Sequence, residues 1–200
     1  MLLHACCGPC LLEPYDAVAQ DHEVVVAYAN PNIHPAPEYR HRFDTLAEYA
    51  SQAGIEVVEL AYDPVQWMRA VAGVEDVPEK RCRACYALRL GMVAREAAVR
   101  GFDAIATTLT VSPYQDAQAI ADEGRRAAAE AGVEYLDHDF RERYPNATRR
   151  SRELGMYRQN YCGCLLSEIE ADAQRAERRA ERAAAKAVRL AQRADESGSN

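Results

Sequence analysis

Short apolar runs alternate with longer amphipathic stretches along most of this chain. Residues 2–5 and 24–29 are apolar on both sides, the second rich in β-branched residues, and both predict central strands. The signal returns at 55–60, 104–107 and 133–136. Between these runs helical spacing predicts helices over 11–19, over 39–53 with Phe43, Leu46, Ala47 and Ala50 on one face, and in a short piece at Trp67 and Met68. Two more are predicted over 81–100, with Leu88, Met92, Ala94 and Val99 as core contacts, and over 116–131. Gly54, Gly101 and Gly132 stand where helices should stop. Strand and helix in alternation predict an α/β fold built on one parallel sheet covered by helices. Such a sheet gathers its ligand-binding loops at the carboxyl ends of the strands, so the segments after the first, second and fourth strands are placed to converge.

From Tyr161 onward the pattern is helical and rich in Ala, Arg and Glu, and residues 171–193 offer little beyond Val188 and Leu190 to anchor a core. The organisation expected is a catalytic domain over 1–168, a helical extension over 169–194 and an unstructured tail over 195–200. With 200 residues and 48% hydrophobic content the chain can bury a core without disulfide staples. It holds no apolar stretch near the roughly 20 residues of a membrane helix, and its start, MLLHACCGPC, lacks the pattern of a secretion signal. A cytoplasmic protein is expected. The net charge of −7 argues against a surface that binds nucleic acid non-specifically. Locally the balance reverses: in 139–158, Arg141, Arg143, Arg149, Arg150, Arg152 and Arg158 face only Asp139, Glu142 and Glu153. That stretch is either a solvated face or a docking patch for an anionic partner.

The seven cysteines are odd in number and fall in three tight groups, which fits metal or redox chemistry better than a disulfide framework. Cys82 and Cys85 have C-x-x-C spacing at the expected start of a helix, where both sulfurs face one side and free N–H groups favour thiolates. Cys6, Cys7 and Cys10 follow the first strand, and as sequence neighbours Cys6 and Cys7 are expected to point apart, toward two adjoining centres. Cys162 and Cys164 flank Gly163, a spacing too short for an ordinary zinc knuckle. Structural zinc, an iron-sulfur cluster and a thiol redox pair all remain open on spacing alone.

Longer motifs narrow the choice. The segments LLHACCGPC (2–10), YANPNIHPAPEYRHR (28–42), RCRACYALRL (81–90), TTLTVSPYQD (107–116), DFRERY (139–144) and SRELGMYRQNYCGCLLS (151–167) together resemble the QueH family of epoxyqueuosine reductases, which act without cobalamin. The resemblance implies an adenine nucleotide alpha-hydrolase-like, or HUP-like, fold holding a 4Fe-4S cluster with an additional iron ion. It also implies reduction of epoxyqueuosine to queuosine at the wobble base of tRNA. Carried over, Cys82 and Cys85 are cluster ligands joined by one or both of Cys6 and Cys7, and Cys10 is a ligand of the neighbouring iron. Some members of the family carry aspartate at that third position. Cys162 and Cys164 complete the centre or cycle between dithiol and disulfide. No phosphate-binding glycine loop accompanies the fold, so ATP is not implied.

The reaction needs two electrons and two protons. His34 and Asp116, with His4 and Tyr114 beside them, are candidate proton carriers on strand-end loops. Asn30 and Asn32 are candidates for hydrogen bonds to the modified base, whereas Tyr39 and Trp67 read as packing residues. Arg149, Arg150 and Arg158, interspersed with Tyr144, Tyr157 and Tyr161, are candidate contacts to the tRNA anticodon loop. A ferredoxin or flavodoxin is the expected electron donor. The competing readings are an RNA thiolation enzyme on a related fold, and a zinc-stabilised RNA-binding module without catalysis.

Overall fold

The computed structural model describes residues 1–198, with side chains through 186 and at 189. The chain forms two compact units, Met1–Gln159 and Asn160–Asn200. In the first, strands β1 (Leu2–Ala5), β2 (Val25–Tyr28), β3 (Val57–Glu59), β4 (Ala104–Thr107) and β5 (Glu134–Tyr135) pair in parallel in the order β3-β2-β1-β4-β5. The helices are α1 (Gly8–Val18), α2 (Ala36–Ala53), α3 (Pro64–Val71), α4 (Pro78–Arg100), α5 (Ala117–Ala131) and α6 (Tyr144–Glu153). Single 3-10 turns occupy Thr108–Val111 and Arg141–Arg143. The second unit is dominated by α7 (Leu165–Gly198). The parallel sheet flanked by helices and the C-terminal helical region match the sequence expectation. Ser199 and Asn200, within the expected tail, lie outside the described residues. Among the described residues no helix is long and apolar enough to cross a membrane.

Period-2 alternation distributes the central strands between two cores. Leu3, Ala5, Val26, Tyr28 and Ala106 join Leu11 and Val18 of α1 and Leu46 and Ala50 of α2. Leu2, Ala27 and Ile105 join Tyr86, Leu90, Val93, Ala94 and Ala97 of α4 and Ile120 and Ala127 of α5. Each buried Leu or Ile contributes about 1.5–3 kcal/mol relative to exposure, which is why four-residue strands suffice when both faces are covered. The strand order reverses direction at β1, with β2 and β3 on one side and β4 and β5 on the other. The carboxyl end of β1 is therefore the place where an open α/β sheet leaves a crevice.

Three differences from the sequence reading bear on the site. First, α1 begins at Gly8, with a proline in its first positions, so Cys10 is helical. Second, α4 begins at Pro78, and Arg81 N already donates to Val77 O. Cys82 and Cys85 therefore lie past the turn whose N–H groups are free, and the helix-start argument for their acidity does not hold. The core stripe of α4 also excludes Val99, which is 84% exposed, because Tyr86, Leu90, Val93, Ala94 and Ala97 define the inward face. Third, the basic stretch contains a helix, α6, that packs on α1.

Candidate metal centre

Cys6, Cys7 and Cys10 come together where β1 turns into α1. Their Sγ atoms all lie within 4.8 Å of one another, and those of Cys6 and Cys7 are 3.8 Å apart. The expectation that the adjacent pair points apart is corrected. Strand alternation ends at Cys7, the extended residue capping α1 (φ −172°, ψ 165°), and the chain reverses there. Gly8 makes this turn possible by close approach, because a Cβ on it would meet Thr45 Cγ2 of α2 at 3.2 Å. Cys7 is buried and Cys6 and Cys10 are half-buried, and none of the three is in a disulfide.

The trio accommodates one negative charge readily. Hydrogen bonding from Cys10 and then Cys7 holds the Cys6 thiol well below the ordinary thiol range against the opposing effect of burial, and the Arg89 guanidinium adds to the drop. Cys10 moves well upward through its hydrogen bonds with Cys6 and Cys7 and through burial. For Cys7 the bond with Cys10 pulls down, but the bond with Cys6, burial and the Cys6 charge outweigh it, and the thiol is pushed up to about 12. A bound cation reverses that balance, since its charge offsets repulsion between neighbouring thiolates.

A buried scaffold holds this turn in place. Asn30, after β2, donates from Nδ2 to Ala5 O (2.9 Å) and accepts at Oδ1 from Arg89 Nη2 of α4 (2.5 Å). His4 is fully buried between its neighbouring strands: its Nε2 donates to Ala29 O (3.3 Å), which leaves Nδ1 to accept from the Thr107 hydroxyl (2.8 Å). Desolvation, with the nearby Arg89 charge, lowers the His4 pKa to about 3, so the ring is neutral. Gln159 donates from Nε2 to Cys7 Sγ at 2.9 Å. Arg89 and Gln159 escaped the sequence reading. Both lie inside the quoted motifs, Arg89 at i+7 from Cys82 on the face that carries the cysteines, and that spacing was the available signal.

Cys82, Cys85 and Arg89 form one stripe of α4, and Arg89 reaches the Asn30 amide that holds the end of β1. Cys6 and Cys82 pack against the same core cluster. In the second unit Gly163 adopts φ 134°, and Cys164, buried, precedes α7 and accepts from Ser167 N at Sγ (3.3 Å). Its sulfur serves as a helix cap there.

The remaining candidates divide by what already engages them. Asn32 is 0% exposed, and neither atom of its amide has a hydrogen-bond partner among the described residues. Thr108 is also fully buried with its hydroxyl unpartnered among them. His34 precedes a cis peptide bond to Pro35 and packs against Trp67 with ring centroids 5.1 Å apart. Desolvation lowers its pKa. Asp116 is the N-cap of α5, its carboxylate accepting from Ala119 N (3.0 Å), and Tyr114 is highly exposed. Arg150 joins α6 to α1 by donating to Glu13 Oε1 (2.8 Å), Asp16 Oδ2 (2.6 Å) and Leu12 O (3.5 Å). Arg158 donates to Thr148 O (3.1 Å), and Arg149 is exposed with only a 3.8 Å pairing to Glu153.

Fold and site together define an α/β protein with a cluster of three cysteines, able to ligate a metal ion, at the reversal point of its parallel sheet. A family model described as epoxyqueuosine reductase QueH matches residues 1–170. The chain is 34% identical over 175 residues to the epoxyqueuosine reductase QueH of Streptococcus pyogenes serotype M1, covering 82% of this chain and 69% of that one. It is also 34% identical to that of Dehalococcoides mccartyi (85% and 93% covered) and to that of Thermotoga maritima (88% and 94% covered). The chain belongs to the QueH family of epoxyqueuosine reductases.

Proposed function

We propose that this chain reduces epoxyqueuosine to queuosine in tRNA, using a 4Fe-4S cluster and an additional iron ion carried by a HUP-like domain spanning 1–168. The observation that carries this reading is the convergence of Cys6, Cys7 and Cys10 at the sheet's reversal point in a member of this family. In this assignment Cys82 and Cys85 hold the cluster with Cys6 and Cys7, Cys10 serves the extra iron, and Cys162 and Cys164 complete the centre or act as a dithiol. Bound there, the group supplies single electrons and a Lewis-acidic metal. The epoxide gains two electrons and two protons, its oxygen leaves as water and an alkene forms.

The chain's own residues do the rest. Asn32 offers one donor and one acceptor side by side in a buried position, the complement of the lactam edge of a guanine-like base. Asn30, bonded to Ala5 and held by Arg89, fixes the end of β1. His34, kept neutral by desolvation, carries protons, with Asp116 the second candidate. Arg149 contacts RNA phosphate, and Arg150 and Arg158 shape the same segment. A ferredoxin or flavodoxin in the cytoplasm supplies the electrons. The family favours this reductase over a thiolation enzyme or a zinc module.

Anaerobically reconstituted protein with a strong reductant and epoxyqueuosine-containing tRNA should yield queuosine on nucleoside analysis. No product from a sample whose cluster is verified and reducible overturns the activity. A colourless protein with stoichiometric zinc overturns the cofactor.

A further inference from the structure

A cavity of about 400 Å³ lies between α2 and the turn that follows α6. Its distinctive wall is a flat pair: the rings of His41 and Tyr157 stack with centroids 3.8 Å apart and planes 18° from parallel. Tyr157 is fixed at its far end, donating its hydroxyl to the Glu38 carboxylate (2.8 Å), which also accepts from buried Arg42 (2.7 Å). Thr45, Glu48 and Gln52 supply polar groups on the α2 side, and among the described residues no Arg or Lys lines the space. The exposed Glu48 carboxylate disfavours phosphate. A flat ring wall beside hydrogen-bonding side chains suits a neutral, planar molecule that carries an N–H.

The cavity also adjoins the thiol site. Gln159, two residues beyond Tyr157, touches Cys7 Sγ, and Gly8, next to Cys7, packs on Thr45. We propose that this cavity binds an unpaired base of the substrate RNA adjacent to the modified nucleotide, continuing the stack on the outer face of the His41 ring with an N–H of its pairing edge directed to Glu48. The inference rests on the reading of this protein as a tRNA reductase, and it adds a second base-binding position that splays the loop and holds it in register.

The test is direct binding of a labelled epoxyqueuosine anticodon stem-loop, measured by fluorescence anisotropy on metal-loaded wild-type protein and on His41→Ala, with each flanking base replaced in turn by an abasic ribose. His41→Ala should weaken Kd for the intact RNA about tenfold, the scale of one lost stacking contact. One abasic RNA should weaken wild-type binding similarly, and combining the two should add nothing further. Losses that multiply, or a His41→Ala protein that binds intact RNA as wild type does, overturn the proposal. Glu48→Gln, an exposed and nearly isosteric change, guards against misfolding. It should cost severalfold on intact RNA and nothing on the same abasic RNA, and equal losses on both overturn the proposal. Because anisotropy reads binding, a protein that binds in this way without forming queuosine refutes the reductase reading and leaves the cavity assignment standing.

Discussion

Replacing Asn32 by Leu should make this protein more stable and less active at once. The side chain is fully buried, and both polar atoms of its amide lack partners among the described residues. Leaving such groups desolvated costs about 1–3 kcal/mol in proteins, whereas a similarly shaped apolar side chain has no such cost. The expected gain is about 2 kcal/mol. For a chain of this size roughly 2–4 °C accompanies each kcal/mol, so Tm should rise by about 4–8 °C. Urea unfolding at fixed metal loading should show a higher midpoint with an unchanged slope. Because a bidentate contact to a base is worth roughly 1–3 kcal/mol, kcat/KM for epoxyqueuosine RNA should fall by between about fivefold and 150-fold. A less stable Asn32→Leu protein, or one with undiminished kcat/KM, refutes the assignment of the Asn32 amide to the substrate base.

Arg150→Ala should lower stability by about 2 kcal/mol in thermal unfolding, because Glu13, only 10% exposed, loses its 2.8 Å partner. Arg149→Ala should leave the unfolding free energy within about 0.5 kcal/mol of wild type while weakening RNA binding and flattening its salt dependence; binding unaltered across salt concentrations contradicts its assignment. Gln159→Leu removes the donor to Cys7 Sγ, and the midpoint potential of the reconstituted centre should drop by tens of millivolts in a redox titration, because hydrogen bonds to sulfur favour the more negative, reduced state. Gly124→Ala places a Cβ that overlaps the Tyr135 ring. It should destabilise by about 1–2 kcal/mol in urea despite alanine's higher helix propensity, and Tyr135→Leu in the same chain should recover most of that loss.

The sheet was legible because apolar runs and helical spacing fall in strict alternation, and because glycine ends helices where the backbone must turn left-handed, as at Gly101 (φ 75°) and Gly132 (φ 72°). The length of α4 was not. Its first turn, Pro78–Arg81, is polar apart from proline and carries no periodic signal, so the cysteines seemed to open a helix they actually sit within. In α6, charged residues and only two buried positions, Ala147 and Ser151, hide the helix. Its docking on α1 rests on Arg150, whose partners are more than 130 residues away in sequence. The three cysteine groups were visible from spacing, whereas the meeting of the Cys6, Cys7 and Cys10 sulfurs within the first group depends on a chain reversal that no pairwise rule encodes. Roles for Arg89 and Gln159 arise only from tertiary proximity. Asn30 and Asn32 look equivalent in sequence, yet one is fully engaged and the other is not.

The tie made by His4 has a consequence for how the protein is made. β1 carries the first cysteines and is only four residues long, yet it lies between β2 and β4, and His4 closes onto a threonine 103 residues later. During synthesis the cysteine turn leaves the ribosome about a hundred residues before β4, which pairs with β1. Contacts so distant along the chain slow folding, and the thiols stand in the open until β4 has emerged and docked. Metal loading should therefore follow completion of the sheet, so that a truncated chain ending before Thr107 captures metal poorly however many of its cysteines are already present.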